Sequence, residues 1–519
     1  MYSGLLELTY EKRAEEAVMP EYFLDLNLNQ IVRELQDKAK EYDIRSMYYR
    51  FPKDYETVCY RQEIYREIRG KQLEGMFLAF AKKMREVRWY KERHGEIENR
   101  FQYQTYFFNA VDCFIEGVEE LKEQLCQVQP ASEGLAGLLR YFEELCEKEA
   151  WKECRTVAKK LREMLSELRY ELRIEGSKLT IRSLQEEKFY FDQIKELFPD
   201  MVSDRVTKDG ILQDYLIPSP FAGNEELGFL ETEILRMYRR QHPEVFRKLD
   251  SFYETYKEII EEDVYRIEEE LHYYLVYSLF QTDMEGRGCD FCIPEVKQGR
   301  TYLAHKVYDL ALARKNRFEE KEVVSNSVQY REGERFFVVT GPNQGGKTTF
   351  ARSLGQLVYF AMMGLAAPAE SAVVPYFTSL LTHFSVEESL ESGRGKLKEE
   401  LIRLAPMMED ERTNCFVVLN ELFTTAATYD AFVMGQRVLQ HFIEKECLGV
   451  YVTHIAELTK AGEQVASLVA LADEHDHRKR TFQIVRKDAE GVGYAGDIVE
   501  KHRLGYEELC NRLNERGVV

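Results

Sequence analysis

Apolar positions over the first 285 or so residues recur at the three- and four-residue steps of helices. In residues 245–280 the series runs Val245, Leu249, Phe252, Tyr256, Ile259, Ile260, Val264, Ile267, Leu271, Tyr274 and Leu275. Glu261, Glu262, Glu268, Glu269 and Glu270 take the other face. This pattern predicts one amphipathic rod, longer than the globular average and packed along one side. Similar periodicity predicts helices over residues 61–93, 101–125 and 135–171. A turn at Glu175-Gly176, flanked by extended residues, interrupts the series, and Ile217-Pro218-Ser219-Pro220 marks a second break. Near residues 288–299 the texture changes. Short apolar runs at residues 336–340, 416–419, 450–453 and 481–485 then alternate with helical segments, the order of an α/β layer with a largely parallel sheet. The expected fold is multidomain: an all-α helical region over residues 1–295, then an α/β domain over residues 296–519.

Composition narrows the partners more than the fold. With 44% hydrophobic and 31% charged residues in 519, neither disorder nor membrane residence describes the whole chain. Acidic residues outnumber basic ones by 91 to 71, a formal charge of -20. No bulk basic field exists for nucleic acid, so any such contact needs a local cluster such as Arg236, Arg239 and Arg240. Residues 1–20 hold no signal-peptide core, and the longest apolar stretch, residues 358–367, is too short to span a bilayer. A cytoplasmic protein without membrane contact is expected. Ten scattered cysteines suit a reducing compartment. Cys289 and Cys292 form a CxxC with no second ligand pair at zinc spacing, which reads as a turn with two thiols. Asp473-Glu474-His475-Asp476-His477 runs into Arg478-Lys479-Arg480 and then a strand, and reads as a solvated turn rather than a metal site.

The sharpest chemistry lies at Gly341-Pro342-Asn343-Gln344-Gly345-Gly346-Lys347-Thr348-Thr349, which fits G-x-x-x-x-G-K-[ST]. The apolar run Arg335-Phe336-Phe337-Val338-Val339-Thr340 precedes it, and Phe350, Leu354, Leu357 and Val358 follow at helical spacing. Strand, glycine loop and helix is the order in which backbone N–H groups and a helix N-terminus can surround phosphates. In that frame Lys347 reaches the β- and γ-phosphates of ATP, and the Thr348 hydroxyl ligates Mg²⁺. Glu421 ends an apolar strand and can orient an attacking water. His454 ends another and can sense the γ-phosphate.

TGPNQGGKTT resembles the phosphate loop of the MutS mismatch-repair ATPases, a branch of the ABC-type ATPases. Further similarities follow in the family's order: Ala367-Pro368-Ala369-Glu370-Ser371-Ala372, then Glu391-Ser392-Gly393-Arg394-Gly395 at the signature segment. Val417-Val418-Leu419-Asn420-Glu421 with Thr428-Tyr429-Asp430 resembles the Walker B strand and its following aspartate, and Val452-Thr453-His454-Ile455-Ala456-Glu457-Leu458 the histidine switch. Val324-Ser325-Asn326 is similar to the segment near the base pocket. Asp25-Leu26-Asn27-Leu28 and Tyr60-Arg61-Gln62-Glu63 resemble the family's helical core. The resemblance implies a helical core and lever joined to an ABC-type P-loop ATPase domain. It implies a homodimer in which Ser392 and Gly395 of one chain face the other's γ-phosphate, a water-holding role for Asn343, and a magnesium-supporting role for position 420. Two departures stand out: Asn420 replaces the Walker B aspartate, and Gly395 the signature serine. Asn420 supports Mg²⁺ through a weaker hydrogen bond than a carboxylate, so slow hydrolysis is expected.

The chain begins near the family's core domain, and helices follow at once, so a mismatch-reading domain with its Phe-x-Glu wedge is not expected. The leading expectation is an ATP-gated dimer that binds DNA structures without reading mismatches. The alternative is a nucleotide-dependent scaffold for a protein or ribosomal partner, favoured by the charge of -20 and Asn420.

Overall fold

The computed structural model describes residues 4–8, 18–39, 42–96, 100–167, 170–175, 178–183, 235–237, 239–316, 323–384, 395–473 and 480–489. Helices come first: α1 (Tyr22–Asp25), α2 (Leu28–Ala39), α3 (Arg45–Tyr49), α4 (Tyr55–Ile68), α5 (Lys71–Glu96), α6 (Arg100–Val128), α7 (Glu133–Glu147) and α8 (Glu149–Ser166). A hairpin of β1 (Tyr170–Glu175) and β2 (Lys178–Ser183) follows, then α9 (Pro243–Tyr256) and α10 (Glu262–Glu285). The remainder alternates: β3 (Glu295–Lys297), β4 (Leu303–Val307), α11 (Leu310–Asn316), β5 (Asn326–Gln329), β6 (Phe336–Thr340), α12 (Lys347–Met362), β7 (Ser371–Pro375) and β8 (Leu380–Phe384). It continues with α13 (Lys396–Glu409), β9 (Phe416–Asn420), α14 (Thr428–Glu444), β10 (Leu448–Val452), β11 (Val465–Ala472) and β12 (Arg480–Arg486). A helical N-terminal part thus precedes a mixed α/β part.

Four expectations for the helical part are corrected. The helical part is not all-α, because β1 and β2 pair antiparallel from Tyr170↔Ser183 to Glu175↔Lys178. Their sequences, Tyr-Glu-Leu-Arg-Ile-Glu and Lys-Leu-Thr-Ile-Arg-Ser, alternate with the two-residue period of a strand. The rod expected over residues 245–280 is two helices, α9 and α10, parted at residues 257–261. Its periodicity stays in phase across the break and cannot reveal it. At the junction Glu261 is held from outside, accepting a hydrogen bond from Tyr141 at 2.9 Å and an ion pair from Lys148. The patterns over residues 61–93 and 135–171 also divide, at Arg69–Gly70 and Lys148. The Ile217-Pro218-Ser219-Pro220 break lies outside the described residues.

The chain forms two compact units whose membership follows contacts rather than chain order. One comprises residues 70–131 and 135–268, with residues 1–2; the other comprises residues 3–69, 132–134 and 269–519. In the helical unit, α8 buries Trp151, Cys154, Ala158 and Leu161, one stripe at steps of three and four. Ion pairs join neighbouring helices of the unit, as Lys83 of α5 does with Glu116 of α6 at 2.9 Å.

The other unit holds both larger sheets. Six strands lie in the order β12-β11-β6-β10-β9-β8. β8, β9, β10, β6 and β11 run parallel, and β12 is antiparallel to β11. Every residue of β6, β9 and β10 is buried, as expected of central parallel strands covered on both faces. Gly449 makes that spacing possible. A Cβ there would lie 2.4 Å from the Val417 carbonyl oxygen and 2.6 Å from the Phe336 ring. A second, mixed sheet in the order β3-β7-β4-β5 was not legible in the apolar pattern, since its strands are short and half-polar.

Helix α12 is gripped along its length by buried polar groups. The Gln356 side-chain amide donates to the Leu26 carbonyl and to Asp309, both at 2.9 Å, and its oxygen accepts from Leu310 N–H at 2.7 Å. At its far end the Tyr273 hydroxyl donates to Met363 O and the Tyr359 hydroxyl to Tyr48 O, each at 2.7 Å. These bonds satisfy groups that would otherwise be costly to bury and fix the helix that starts at the glycine loop.

Candidate functional site

The loop between β6 and α12 is shaped by its backbone. Gly341 and Gly346 have φ of 127° and 88°, a region disfavoured for residues with a Cβ. Space demands glycine too: a Cβ on Gly341 would lie 2.9 Å from the Ala470 carbonyl oxygen, and one on Gly345 3.0 Å from that of Pro342. Gln344, with φ of 59°, adopts the left-handed conformation without being glycine. Gly346 is the residue before α12, whose first turn begins at Lys347 and Thr348.

A cavity of about 610 Å³ opens above this loop. Asn343, Gln344, Gly345, Gly346, Lys347, Thr348, Thr349 and Glu421 line it. Gly341 and Pro342 are not among the lining residues, but their carbonyls accept from the Lys347 ammonium at 2.9 and 3.0 Å. Lys347 is only 4% exposed. Burial holds its ammonium below the ordinary value, the Glu421 carboxylate pulls the other way, and Arg480 adds to the lowering.

The Thr348 hydroxyl donates to Asn420 Oδ1 at 3.0 Å, joining the loop helix to the end of β9. Asn420 is buried at 6% exposure, so its amide oxygen is fixed in direction. One residue on, Glu421 has φ of 53° and its N–H donates to Val452 O at 2.9 Å. Its carboxylate meets His454 Nε2 at 2.9 Å. The ends of β9 and β10 therefore bring Glu421 and His454 together. Glu421 lines the cavity with Lys347 and Thr348, while His454 and Asn420 are not lining residues and adjoin it through their bonds to Glu421 and Thr348. Asn343 is exposed, and its carbonyl accepts from Arg480 Nε at 3.2 Å.

Ser392 and Gly395 are expected to serve a second chain's site rather than their own. Ser392 lies outside the described residues. Gly395 is the exposed residue before α13 and is not among the residues lining the cavity. Much of Asp473-Glu474-His475-Asp476-His477 also lies outside the description. Among the described residues no three His, Cys, Asp or Glu side chains stand close enough to hold a metal. Burial raises the Cys289 thiol and pushes Cys292 up to about 11, which suits two protonated thiols. Arg236, Arg239 and Arg240 are exposed, Arg239 lying 4.1 Å over the Phe101 ring. Among the described residues no helix is long and apolar enough to cross a membrane.

The other cavity wall was legible in the sequence only in part. Leu312, Asn316, Val323, Val324, Asn326 and Phe482 supply it. Phe482, 46% exposed with φ of 58°, lies 3.3 Å from where a Gly346 Cβ would stand. Asn326 holds the Phe482 strand, donating to Phe482 O at 3.3 Å and accepting from Ile484 N–H at 2.7 Å. The motif segment Val324-Ser325-Asn326 pointed to one edge of this wall. Phe482 gave no sign beyond an apolar residue in a charged strand.

Comparison with known proteins places residues 337–496 in the family model described as MutS domain V. A DNA mismatch repair protein MutS from Syntrophomonas wolfei is 30% identical over 185 residues, 35% of this chain and 21% of its own length. The MutS of Leuconostoc mesenteroides is 28% identical over 200 residues, 38% of this chain and 21% of that protein. Human DNA mismatch repair protein Msh3 is 26% identical over 193 residues, 36% of this chain and 16% of that protein. The matched stretch thus spans about a fifth of these relatives' own lengths.

Proposed function

Since this chain is a MutS-like family member through its domain V, we propose that it is an ATP-binding protein with slow, Mg²⁺-dependent hydrolysis. The observation that carries this reading is the convergence of Lys347, Thr348 bonded to Asn420, and Glu421 bonded to His454 around one glycine-lined cavity. The donor set fits the cofactor. Backbone N–H groups and Lys347 suit phosphate oxygens, Thr348 is a hard oxygen ligand, and Asn420 can accept from a metal-bound water. Held by Thr348 and, through water, by Asn420, a bound Mg²⁺ would supply charge neutralisation at the phosphates. The apolar wall of Leu312, Val324 and Phe482 suits the face of a purine base.

In this mechanism Lys347 exchanges its two loop carbonyls for β- and γ-phosphate oxygens. Glu421 orients the attacking water and accepts its proton as the water oxygen bonds to the γ-phosphorus and the bond to the departing ADP oxygen breaks. His454 steadies the carboxylate through Nε2–H and, as an imidazolium, donates to the γ-phosphate through Nδ1–H. Asn420 leaves the metal shell one negative charge poorer than an aspartate, which slows turnover. Asn343 stands at the loop tip, in reach of the water's approach. Glu421→Gln should lower turnover by about 10²–10³-fold and leave ATP bound. Unchanged turnover in a phosphate-release assay contradicts the assignment.

The same reading makes the working form a cytoplasmic homodimer, with the Ser392–Gly395 segment of one chain completing the other's site and ATP gating its closure. Its support is chemical: a helix N-terminus offers N–H groups to anions, and Gly395 precedes α13. DNA is the proposed ligand of the closed dimer, recognised by duplex shape and phosphate contacts. With a net charge of -20, binding should be weak and lost as salt rises. A G·T heteroduplex is expected to compete no better than its matched homoduplex. A nucleotide-dependent scaffold binding protein is the second reading, favoured by that charge and by Asn420. Salt-independent capture of a protein partner with no DNA retention would support it.

A further inference from the structure

The turn after β9 holds two non-glycine residues in the left-handed region, Glu421 at φ 53° and Phe423 at φ 60°. Such conformations persist where the surroundings determine them. Glu421 N–H is fixed by the β10 carbonyl of Val452. Phe423 N–H is fixed by something less ordinary: it donates to Glu400 Oε2 at 3.1 Å. Glu400 sits in α13, is 3% exposed, and lies far from the cavity-lining residues in sequence. It is an acid at a core position, in phase with Leu397, Leu404 and Met407. Those three pack in the same apolar cluster as Leu422 and Phe423.

We propose that Glu400 is a positioning residue for Glu421: its buried carboxylate pins the Phe423 N–H and so aims the Glu421 carboxylate at the cavity and His454. The inference rests on the ATPase reading and deepens it. A buried N–H bonded to a carboxylate is a strong, directional restraint. Only Leu422 separates that restraint from Glu421, so the restraint sets where the turn can place the acid. The anchoring helix is itself tied to β8. His383 Nε2 donates to the Glu400 carbonyl at 3.2 Å, and Arg403 donates to Phe384 O at 2.9 Å. Movement of α13, the helix that Gly395 precedes, would therefore reach Glu421 through one side chain.

The test compares Glu400→Ala and Glu400→Gln in the full chain, each checked for folding by circular dichroism. Glutamine keeps an acceptor for Phe423 N–H, whereas alanine removes it. Expected results are kcat at least tenfold lower for Glu400→Ala, ATP affinity within twofold of wild type, and recovery to within threefold for Glu400→Gln. Adding Glu400→Ala to Glu421→Gln should cost nothing further, because the aimed group is already gone. Wild-type turnover with an unaffected Glu400→Ala, or fully additive losses in the double variant, overturns the proposal while leaving the ATPase reading intact. A wild type that neither binds nor hydrolyses ATP sinks the ATPase reading instead. The positional claim is then decided by a crystal structure of Glu400→Ala, where a retained 2.9 Å contact between Glu421 and His454 contradicts it and a lost one supports it.

Discussion

The two compact units bury polar groups to different extents: the helical unit buries Gln104, bonded to Asp250 at 2.6 Å, and Glu268, paired with Arg88, whereas the other unit buries many more. In the helical unit, the buried faces of α8 and α9 are nearly all apolar, and charges meet at the surface, as with Lys152 and Glu147 at 2.6 Å. The unit with the sheets buries Arg61, Gln356, Glu400, Lys347 and Asn420 as well, each with a named partner. An apolar stripe needs only volume and pattern, so many sequences satisfy it. A buried polar group must find a particular atom at a particular distance. Such partner-dependent groups are more numerous in the second unit.

That contrast can be broken by substitution. The largest stability effect is expected at Gly449→Ala, where the new Cβ meets backbone across β9; it should cost about 3 kcal/mol, read in urea unfolding. Asn420→Asp should act on chemistry alone, raising turnover by about three- to tenfold through a fuller metal shell. No change in rate or metal dependence would show the asparagine to be neutral. A smaller effect follows from His383, 1% exposed in the structure. Burial lowers its imidazole below the ordinary value, opposed by the hydrogen bond to Glu400 and aided by Arg403. The unfolded chain then takes up a proton that the native state resists. Stability is full above the unfolded value of about 6.5 and declines as pH falls below it. His383→Gln should flatten the melting temperature between about pH 7.5 and 5.5. The smallest response is expected in the helical unit: Lys152→Ala should leave the unfolding midpoint unchanged, since surface ion pairs contribute little.

The same contrast explains what could be read in the sequence. The glycine loop, its strand and its helix were legible because backbone conformation forces particular residues at fixed spacing. Glu421 and His454 were legible as strand ends, and their hydrogen bond follows from the parallel pairing of β9 with β10. The break between α9 and α10 was not, because Glu261 is held by residues more than a hundred positions away. Phe482 was hidden because its role depends on a φ of 58° and on where β12 lies, neither of which is written locally. Glu400 did leave a trace, an acid in phase with Leu397, Leu404 and Met407. An ionisable residue on the apolar face of a helix is a sign worth pursuing before a structure is known.

The cavity over the loop is proposed to hold the phosphates of ATP with Lys347 as their cation. Titration calorimetry with Mg²⁺–ATP tests this proposal most directly, using wild type and Lys347→Ala side by side. Wild type should bind saturably and the variant should lose at least about 100-fold in affinity, some 2.7 kcal/mol. Equal affinity in both proteins, or no binding to wild type, would contradict the proposal.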